Sequence, residues 1–415
     1  MSETTQLPIA ISSILSPTKT HTKITIIVPH SVAVLAVAIT AFLSIIIAAH
    51  GPVIGNLGWR LSGSDSKVGS GVKGDVDGRR LVIHAHRGGA GMRAESTLYA
   101  LAYGIDIGAD AIEMDTLFTK DGIPVVWHDF KIEPDKCTET IPNSGYVGKY
   151  INELALAELK TLECGSQQSE KMTQAQTYPN AQIQTLDEVL AFIKCYDKAG
   201  KVDINLETKI DFREPTITWP VSKYLTDLIP VFEKHGMVDR LIIQSFDWRT
   251  LVIKTHHPAL RTTANIDETL LPFYGPDWLT TALLTNATTI SPNHGSPNGN
   301  GDWAWTVNTP GYVAMTTREV VERAHAAGVR VMPWTVDDET TVVKVIRDGV
   351  DGIISNYPQR VAFLASALGL SHGLLQHWTH PREQKRLEEF NACVKRVGGM
   401  GLASEVNRIS GIAEV

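Results

Sequence analysis

Residues 81–129 read LVIHAHRGGAGMRAESTLYALAYGIDIGADAIEMDTLFTKDGIPVVWHD, and this stretch decides the predicted fold. The apolar run at 81–83 indicates a short buried strand, and the glycines at 88–89 indicate a tight turn after it. An amphipathic helical pattern follows, and residues 111–115 then predict a second strand. An Asp-Gly turn signal precedes the extended run at 123–127. The stretch therefore predicts a strand–helix–strand unit of an α/β protein.

Polar residues stand where these apolar runs end. His86 and Arg87 follow the first strand, and His128 follows the run at 123–127. Glu113 and Asp115 are two positions apart on the second strand, so their side chains project from the same face. We expect these five side chains to reach one pocket. Imidazole, guanidinium and paired carboxylates together suit the chemistry of a phosphate and a divalent cation.

The alternation of strands and helices continues to residue 366. Ser96 is expected to cap the first helix, and Thr185 with Glu188 forms a capping-box pattern before another helix. The predicted strands lie at 81–83, 111–115, 202–208, 240–246, 260–265, 288–291, 329–335 and 351–355. Eight strands, each followed by a helix, predict a (β/α)8 TIM barrel over residues 81–366. A long insertion at 131–179 does not fit the repeat.

A doubly wound sheet would give a similar alternation, but it would gather its ligand-binding groups at one crevice. Here polar or aromatic candidates stand at the carboxyl ends of many strands, as expected for a barrel. These strand-end residues are His86, Asp115, Glu207, Gln244, Trp334 and Asn356.

Glu113, Asp115 and Glu207 form the predicted metal site. Three carboxylates that converge at one end of a barrel repel each other and need a cation. Oxygen ligands favour Ca²⁺ or Mg²⁺ over zinc or copper. Surface carboxylates are the first alternative, but the residues around Glu113 predict a strand buried on both faces, where an unpaired charge is costly. A buried structural ion pair between Glu207 and Lys209 is the second alternative.

His86 and His128 are the predicted acid and base. Hydrolysis of a phosphodiester near neutral pH needs one group to activate the nucleophile and another to protonate the leaving oxygen, and imidazole suits both tasks. Arg87 offers a planar fork for a phosphate, or alternatively a salt bridge to a neighbouring acid.

The order of these motifs resembles the glycerophosphodiester phosphodiesterase family. The resemblance rests on His-Arg-Gly at 86–88, Glu-Ser-Thr at 95–97, Glu-Met-Asp at 113–115 and Trp-His-Asp at 127–129. It continues with Leu-Glu-Thr-Lys at 206–209, Gln-Ser-Phe at 244–246, Trp-Thr-Val at 334–336 and Asp-Gly-Ile-Ile-Ser-Asn-Tyr-Pro at 351–358. Ordered motifs on separate segments are far more specific than any one of them.

The resemblance implies hydrolysis of glycerophosphodiesters to sn-glycerol 3-phosphate and an alcohol, with Ca²⁺ or Mg²⁺ as cofactor. It gives Arg87 and Lys209 a role in binding phosphate, and Glu95 occupies the family's acidic position although Ala94 and Ser96 depart from the usual Pro-Glu-Asn-Thr motif. Gln244 and Trp334 are supporting candidates. A glycerol hydroxyl is expected to attack phosphorus first, giving a cyclic phosphate that water opens; direct attack by water is the alternative.

The sequence leaves two alternative functions open. One is a lysophospholipase D-like or phosphoinositide phospholipase, suggested by a membrane anchor and by the Trp303 and Trp305 loop. The other is a catalytically silent surface-binding barrel, which the complete set of competent site residues disfavours. The expected partners are therefore a small glycerophosphodiester or lysolipid substrate and the membrane. A net charge of −7 disfavours nucleic acid.

The N-terminal region predicts a membrane anchor. Residues 24–49 are largely apolar, and 31–49 carry no charge and are long enough to cross about 30 Å of hydrocarbon. A cleaved signal peptide has a shorter apolar core of about 7–15 residues, so we expect a signal anchor, with cleavage near Ala48 and Ala49 as the alternative. The catalytic domain is then expected on the extracellular or lumenal side, or secreted if the anchor is cleaved.

The chain thus divides into five predicted parts: a polar tail at 1–23, the anchor at 24–49, a Gly/Ser-rich linker at 50–80, the barrel at 81–366 and a C-terminal tail at 367–415. The tail is expected to be a surface helix or to lack fixed structure. Cys137 and Cys164 both lie in the insertion, where they form either one disulfide or two reduced thiols.

Overall fold

The structure is a computed structural model, and it describes residues 79–167, 169–275, 277–296, 306–374 and 383–398. Eight strands lie side by side in chain order, and each neighbouring pair that the ladders join is parallel. They are β1 Arg80–Ala85, β2 Ala111–Phe118, β3 Asp203–Thr208, β4 Leu241–Ser245, β5 Arg261–Ile266, β6 Thr289–Pro292, β7 Arg330–Val331 and β8 Gly352–Ser355.

Backbone hydrogen bonds between the last two strands close the sheet. The Asp351 N–H donates to the Val331 carbonyl, and the Ile354 N–H donates to the Pro333 carbonyl. The predicted (β/α)8 barrel is confirmed. β7 is shorter than its predicted span, because Pro333 has no N–H to contribute to a ladder.

Helices follow every barrel strand and cover the outside of the sheet. In chain order they are Leu98–Asp106, Leu186–Tyr196, Val221–His235, Ile253–His256 after the 3₁₀ turn Trp248–Val252, Leu271–Tyr274 with Trp278–Leu283, Arg318–Ala326, Glu339–Asp348 and Pro358–Ala367. Thr185 and Glu188 form the predicted capping box. The predicted cap at Ser96 is wrong by one residue: Thr97 Oγ1 accepts the Ala100 N–H at 3.2 Å, while Ser96 has a left-handed φ of 59°.

The run at 123–127 forms a hairpin with β2. Strand Pro124–Val126 is antiparallel to β2 and also pairs with Gln184–Thr185. The Trp127 N–H donates to the Asp115 carbonyl at 3.1 Å. This hairpin brings His128 back over the carboxyl end of the barrel.

The insertion packs around its own hydrophobic cluster, which includes Trp127, Ile132, Leu159 and a disulfide between Cys137 and Cys164. It contains the 3₁₀ turn Ile151–Glu153, the helix Leu156–Leu159 and a two-stranded ladder of Thr138–Glu139 with Leu162–Glu163. The described part of the insertion therefore contains only short elements of regular structure.

The described part of the C-terminal tail contains the helix Glu383–Arg396. Phe390 and Val394 are buried against the domain, and Cys393 forms a disulfide with Cys195. The described part of the tail is therefore a helix on the outside of the barrel, in agreement with the first of the two expectations for this segment.

The predicted anchor at 24–49 and the linker lie outside the described residues, as does the Trp303 and Trp305 loop. Among the residues that the structure describes, no helix combines the length and the apolar character needed to cross a membrane.

Candidate active site

Three carboxylates meet at the carboxyl end of the barrel. β2 and β3 pair in parallel with Asp115 opposite Glu207, and Glu113 lies two residues before Asp115 on the same face. Oxygens of Glu113, Asp115 and Glu207 lie within 4.8 Å of one another. Their residues are 1%, 1% and 6% exposed, which excludes the alternative of surface carboxylates.

Burial and mutual repulsion change how these groups titrate. Burial is the main cause that raises the pKa of Glu113 well above its usual value, and the negative charges of Asp115 and Glu207 act in the same direction. Burial is the main cause that raises the pKa of Asp115 to about 7; Lys209 opposes this rise and Glu207 adds to it. Asp115 Oδ2 is buried and accepts no hydrogen bond. A cluster of carboxylate oxygens with an unsatisfied buried atom fits a hard divalent cation such as Ca²⁺ or Mg²⁺.

Two cations flank the carboxylates. Lys209 Nζ lies 2.8 Å from Glu207 Oε1 and 3.6 Å from Asp115 Oδ1. Arg87 Nε lies 3.7 Å from Asp115 Oδ2. The Glu207–Lys209 ion pair that the sequence left as an alternative is therefore present, within the same cluster of three carboxylates.

Arg87 is held in an unusual backbone conformation. Its φ of 49° is left-handed, and its N–H donates to Glu113 Oε2 at 2.9 Å. Its Nη1 donates to Glu95 Oε2 at 2.9 Å. A bulky residue in the left-handed backbone conformation is strained, and such strain is concentrated at functional sites.

His86 is fixed from one side of its ring. Nδ1 lies 2.6 Å from Asn356 Oδ1, and the Asn356 amide donates to Asp337 Oδ2 at 2.7 Å. An oxygen acceptor at Nδ1 places the ring proton there and leaves Nε2 with a lone pair, 3.8 Å from Glu113 Oε2. Burial, and next the charge of Arg87, lowers the pKa of His86 to about 3.

His128 has a matching arrangement. Its Nδ1 lies 2.7 Å from Asp129 Oδ1, which again leaves Nε2 as the free nitrogen. Burial, and next the charges of Arg87 and Lys209, lower its pKa well below the usual value. Both imidazoles are therefore neutral at pH 7, and each presents a proton-accepting nitrogen.

The supporting candidates differ in what they touch. Gln244 donates to Glu113 Oε1 at 2.7 Å, and its own amide oxygen accepts from Asn205 at 2.8 Å. Trp334 packs edge-on against Phe246 with ring centroids 5.2 Å apart, and its Nε1 donates to a backbone carbonyl at 3.3 Å. Gln244 thus orients a carboxylate of the cluster, whereas Trp334 belongs to the rim.

Two site residues were missed by sequence reasoning. Lys136, in the insertion, contacts both Glu95 and Asp129. Asp337 holds Asn356 and directly follows the quoted motif Trp-Thr-Val. The position of Asp337 after β7 could have revealed it, but no pattern marked Lys136.

A barrel that gathers three carboxylates, two neutral imidazoles and two cations at its mouth defines the class of phosphoric diester hydrolases. The profile of the glycerophosphoryl diester phosphodiesterase family matches residues 86–360, and the chain belongs to this family.

Individual relatives agree with this assignment. The chain is 28% identical over 280 residues to a glycerophosphodiester phosphodiesterase of Caldanaerobacter subterraneus, covering 68% of this chain and 96% of the relative. It is 28% identical over 286 residues to the enzyme of the same name from Bacillus subtilis, covering 67% of this chain and 84% of the relative. A phosphodiesterase from Oleispira antarctica, solved with the product sn-glycerol 3-phosphate, shares the fold with a TM-score of 0.52 and 23% identity, covering 69% of this chain and 97% of that one.

Proposed function

We propose that the protein hydrolyses glycerophosphodiesters to sn-glycerol 3-phosphate and an alcohol with the help of Ca²⁺ or Mg²⁺. The observation that carries the proposal is the convergence of Glu113, Asp115 and Glu207 beside two neutral histidines. The names of the Caldanaerobacter and Bacillus relatives support the substrate class. A binding barrel without catalysis is set aside, because the family is one of phosphoric diester hydrolases.

Glu113, Asp115 and Glu207 would hold the cation. When bound, the cation would stabilise the negative charge that develops on the phosphoryl oxygens. It would also neutralise the carboxylates that Lys209 now balances at 2.8 and 3.6 Å. The Lys209 ammonium and the Arg87 guanidinium could then attract the substrate phosphate.

His86 and His128 would exchange roles between two steps. The Nε2 of one neutral histidine accepts the proton of the attacking glycerol hydroxyl. The other histidine would first take up a proton on Nε2 when the anionic substrate binds beside it, because a nearby negative charge raises the pKa of an imidazole, and it would then give that proton to the departing alcohol. Water then opens the resulting cyclic phosphate, with the two proton transfers reversed. Phosphorus NMR during turnover tests this course: a transient cyclic glycerophosphate supports it, and its absence under single-turnover conditions favours direct attack by water.

We further propose that the catalytic domain works outside the cytosol, anchored through residues 24–49 or secreted after their cleavage. The disulfides Cys137–Cys164 and Cys195–Cys393 support an oxidising compartment. The division into tail, anchor, linker, barrel at 81–366 and C-terminal segment stays a prediction. Cell fractionation and protease protection of the full chain would test the location.

The experiment that tests the activity uses the full chain in mild detergent. Metal is removed with a chelator, glycerol 3-phosphate release from glycerophosphocholine is measured, and Ca²⁺ or Mg²⁺ is added back to wild type, His86→Ala and Glu113→Ala. Activity that needs the cation and disappears in both folded variants supports the proposal. A folded wild type that releases no glycerol 3-phosphate with either cation refutes it.

A lysophospholipid is the second candidate substrate. Phe273 is 60% exposed and meets Phe212 edge-on, with ring centroids 5.1 Å apart. Both residues follow the carboxyl ends of barrel strands and so lie on the active face, where they offer an apolar surface to an acyl chain. Cleavage of lysophosphatidylcholine in preference to glycerophosphocholine, lost on Phe273→Ala, would favour this substrate.

A further inference from the structure

One lysine outside the barrel joins both halves of the candidate active site. Lys136 belongs to the insertion, and its side chain is 24% exposed. Its Nζ lies 2.7 Å from Glu95 Oε1 and also donates to Asp129 Oδ2. Although burial favours the neutral amine, Glu95 and Asp129 raise the pKa of Lys136, so the group is a cation at neutral pH.

Each carboxylate divides its two oxygens between Lys136 and a barrel residue. Asp129 uses Oδ2 for the lysine and Oδ1 for His128 Nδ1, at 2.7 Å. Glu95 uses Oε1 for the lysine and Oε2 for Arg87 Nη1, at 2.9 Å. One ammonium group therefore fixes a carboxylate behind the predicted acid–base histidine and another behind the predicted phosphate clamp.

The backbone around Lys136 is itself fixed by a covalent bond. The next residue, Cys137, forms a disulfide with Cys164, and both cysteines are buried in the hydrophobic cluster of the insertion. The Lys136 and Cys137 N–H groups both donate to the Glu133 carbonyl. A lysine side chain loses much rotamer entropy when it is held in place, so an anchored backbone helps it to bridge two carboxylates.

We propose that Lys136 is a positioning residue for the diesterase reaction, acting on His128 through Asp129 and on Arg87 through Glu95. The disulfide Cys137–Cys164 holds Lys136 in place, so the insertion becomes part of the catalytic apparatus. This inference rests on the proposed function, because it assigns a role in the same reaction.

The test compares Lys136→Met with Lys160→Met. Lys160 is a matched control, because it lies in the same insertion, is 23% exposed and pairs with Glu188 at 2.6 Å, away from the histidines. We expect Lys136→Met to lower kcat/KM by about 10–100-fold, the usual effect of removing a residue that orients a functional side chain. Lys160→Met should leave kcat/KM unchanged. Lys136→Arg keeps the charge and is expected to recover part of the loss.

The expected path through Asp129 gives a second readout. If Lys136 acts on His128 through Asp129, Lys136→Met in an Asp129→Asn background lowers kcat by less than it does in wild type. Equal factors in both backgrounds would overturn that path. Activity of Lys136→Met equal to that of Lys160→Met, or of Lys136→Arg no better than Lys136→Met in folded proteins, would overturn the positioning role.

The disulfide is tested with paired double variants. Cys137→Ala/Cys164→Ala is expected to lower kcat by a factor similar to that of Lys136→Met. The activity is measured below the unfolding temperature of the variant, and an unchanged circular dichroism spectrum shows that the variant is folded. Cys195→Ala/Cys393→Ala removes the other disulfide and is expected to keep kcat. An unchanged kcat in the first double variant would refute the role of this disulfide. Failure of the wild type to cleave any diester would instead refute the proposed function, so the two failures are distinguishable.

Discussion

The substitution Glu113→Gln gives the sharpest test of the carboxylate site. It removes one of the three carboxyl groups and keeps the shape of the side chain. In the structure Glu113 accepts the Arg87 N–H at 2.9 Å and the Gln244 amide at 2.7 Å. Without a cation, burial and its acidic neighbours raise the pKa of Glu113, so the group holds a proton that a solvated glutamate would have lost.

Two free energies set the size of the effect. At separations of 4.8 Å or less and an effective dielectric constant of about 20, each ionised pair costs at least about 3.5 kcal/mol, or about 7 kcal/mol for Glu113 with two neighbours. Keeping a proton on Glu113 at pH 7 costs about 3.7 kcal/mol, since an unperturbed glutamate has a pKa of about 4.3. The protein adopts the less costly of the two states, so Glu113 is protonated and the cost is about 3.7 kcal/mol.

Glutamine avoids this cost but turns an amide NH₂ towards one of the two donors, which forfeits about 1–3 kcal/mol. We therefore expect Glu113→Gln to stabilise the chelated protein by about 1–3 kcal/mol. At roughly 2–4 °C per kcal/mol, the unfolding temperature should rise by about 2–12 °C.

Thermal unfolding in chelator and in millimolar Ca²⁺ or Mg²⁺ measures the effect. Wild type should be stabilised by the cation, by about 2.7 kcal/mol at 100 times Kd, while Glu113→Gln should respond little. Glu322→Gln, on the exposed face of the helix Arg318–Ala326, is the control and should respond as wild type does. A chelated Glu113→Gln protein that is less stable than wild type, or that gains as much stability from cation, would refute the reasoning.

Three other predictions follow. The folded-state pKa of Asp115 is raised from 3.8 to about 7, so the chelated protein should lose stability as the pH rises between these two values. Cation affinity, measured by calorimetry, should increase over the same pH range. A stability that rises with pH, or a cation affinity that falls, would contradict the proposed site. His128→Ala should lower kcat by about 10²–10⁴-fold and keep the thermal stabilisation by cation, so loss of that stabilisation would count against a pure acid–base role. Cys393→Ala should cost about 2–5 kcal/mol of unfolding free energy in a denaturant titration while kcat at 25 °C stays unchanged; a cost near zero would indicate that the disulfide does not form.

The barrel and its carboxylates could be predicted because both depend on regular patterns. Residues two apart on a strand share a face, which places Glu113 beside Asp115 without any knowledge of the tertiary structure. The carboxyl ends of parallel strands meet at one rim, which adds Glu207. The roles of His86 and His128 in proton transfer stay predictions.

The parts that escaped prediction depend on irregular segments. Lys136 lies 41 positions from Glu95, in an insertion whose pattern does not specify its path. The disulfide between Cys195 and Cys393 spans 198 positions, and cysteine pairing cannot be read from sequence. Ser96 and Thr97 are both good caps, and only the turn geometry selects Thr97.

The bond between Cys195 and Cys393 also turns six of the eight barrel strands, from β3 to β8, into one covalent ring. A protease that cuts the backbone once between these cysteines would leave both fragments attached to each other. A nicked molecule would then run as an intact chain in electrophoresis until a reductant is added. Rejoining of its halves would also stay an intramolecular event, independent of the protein concentration.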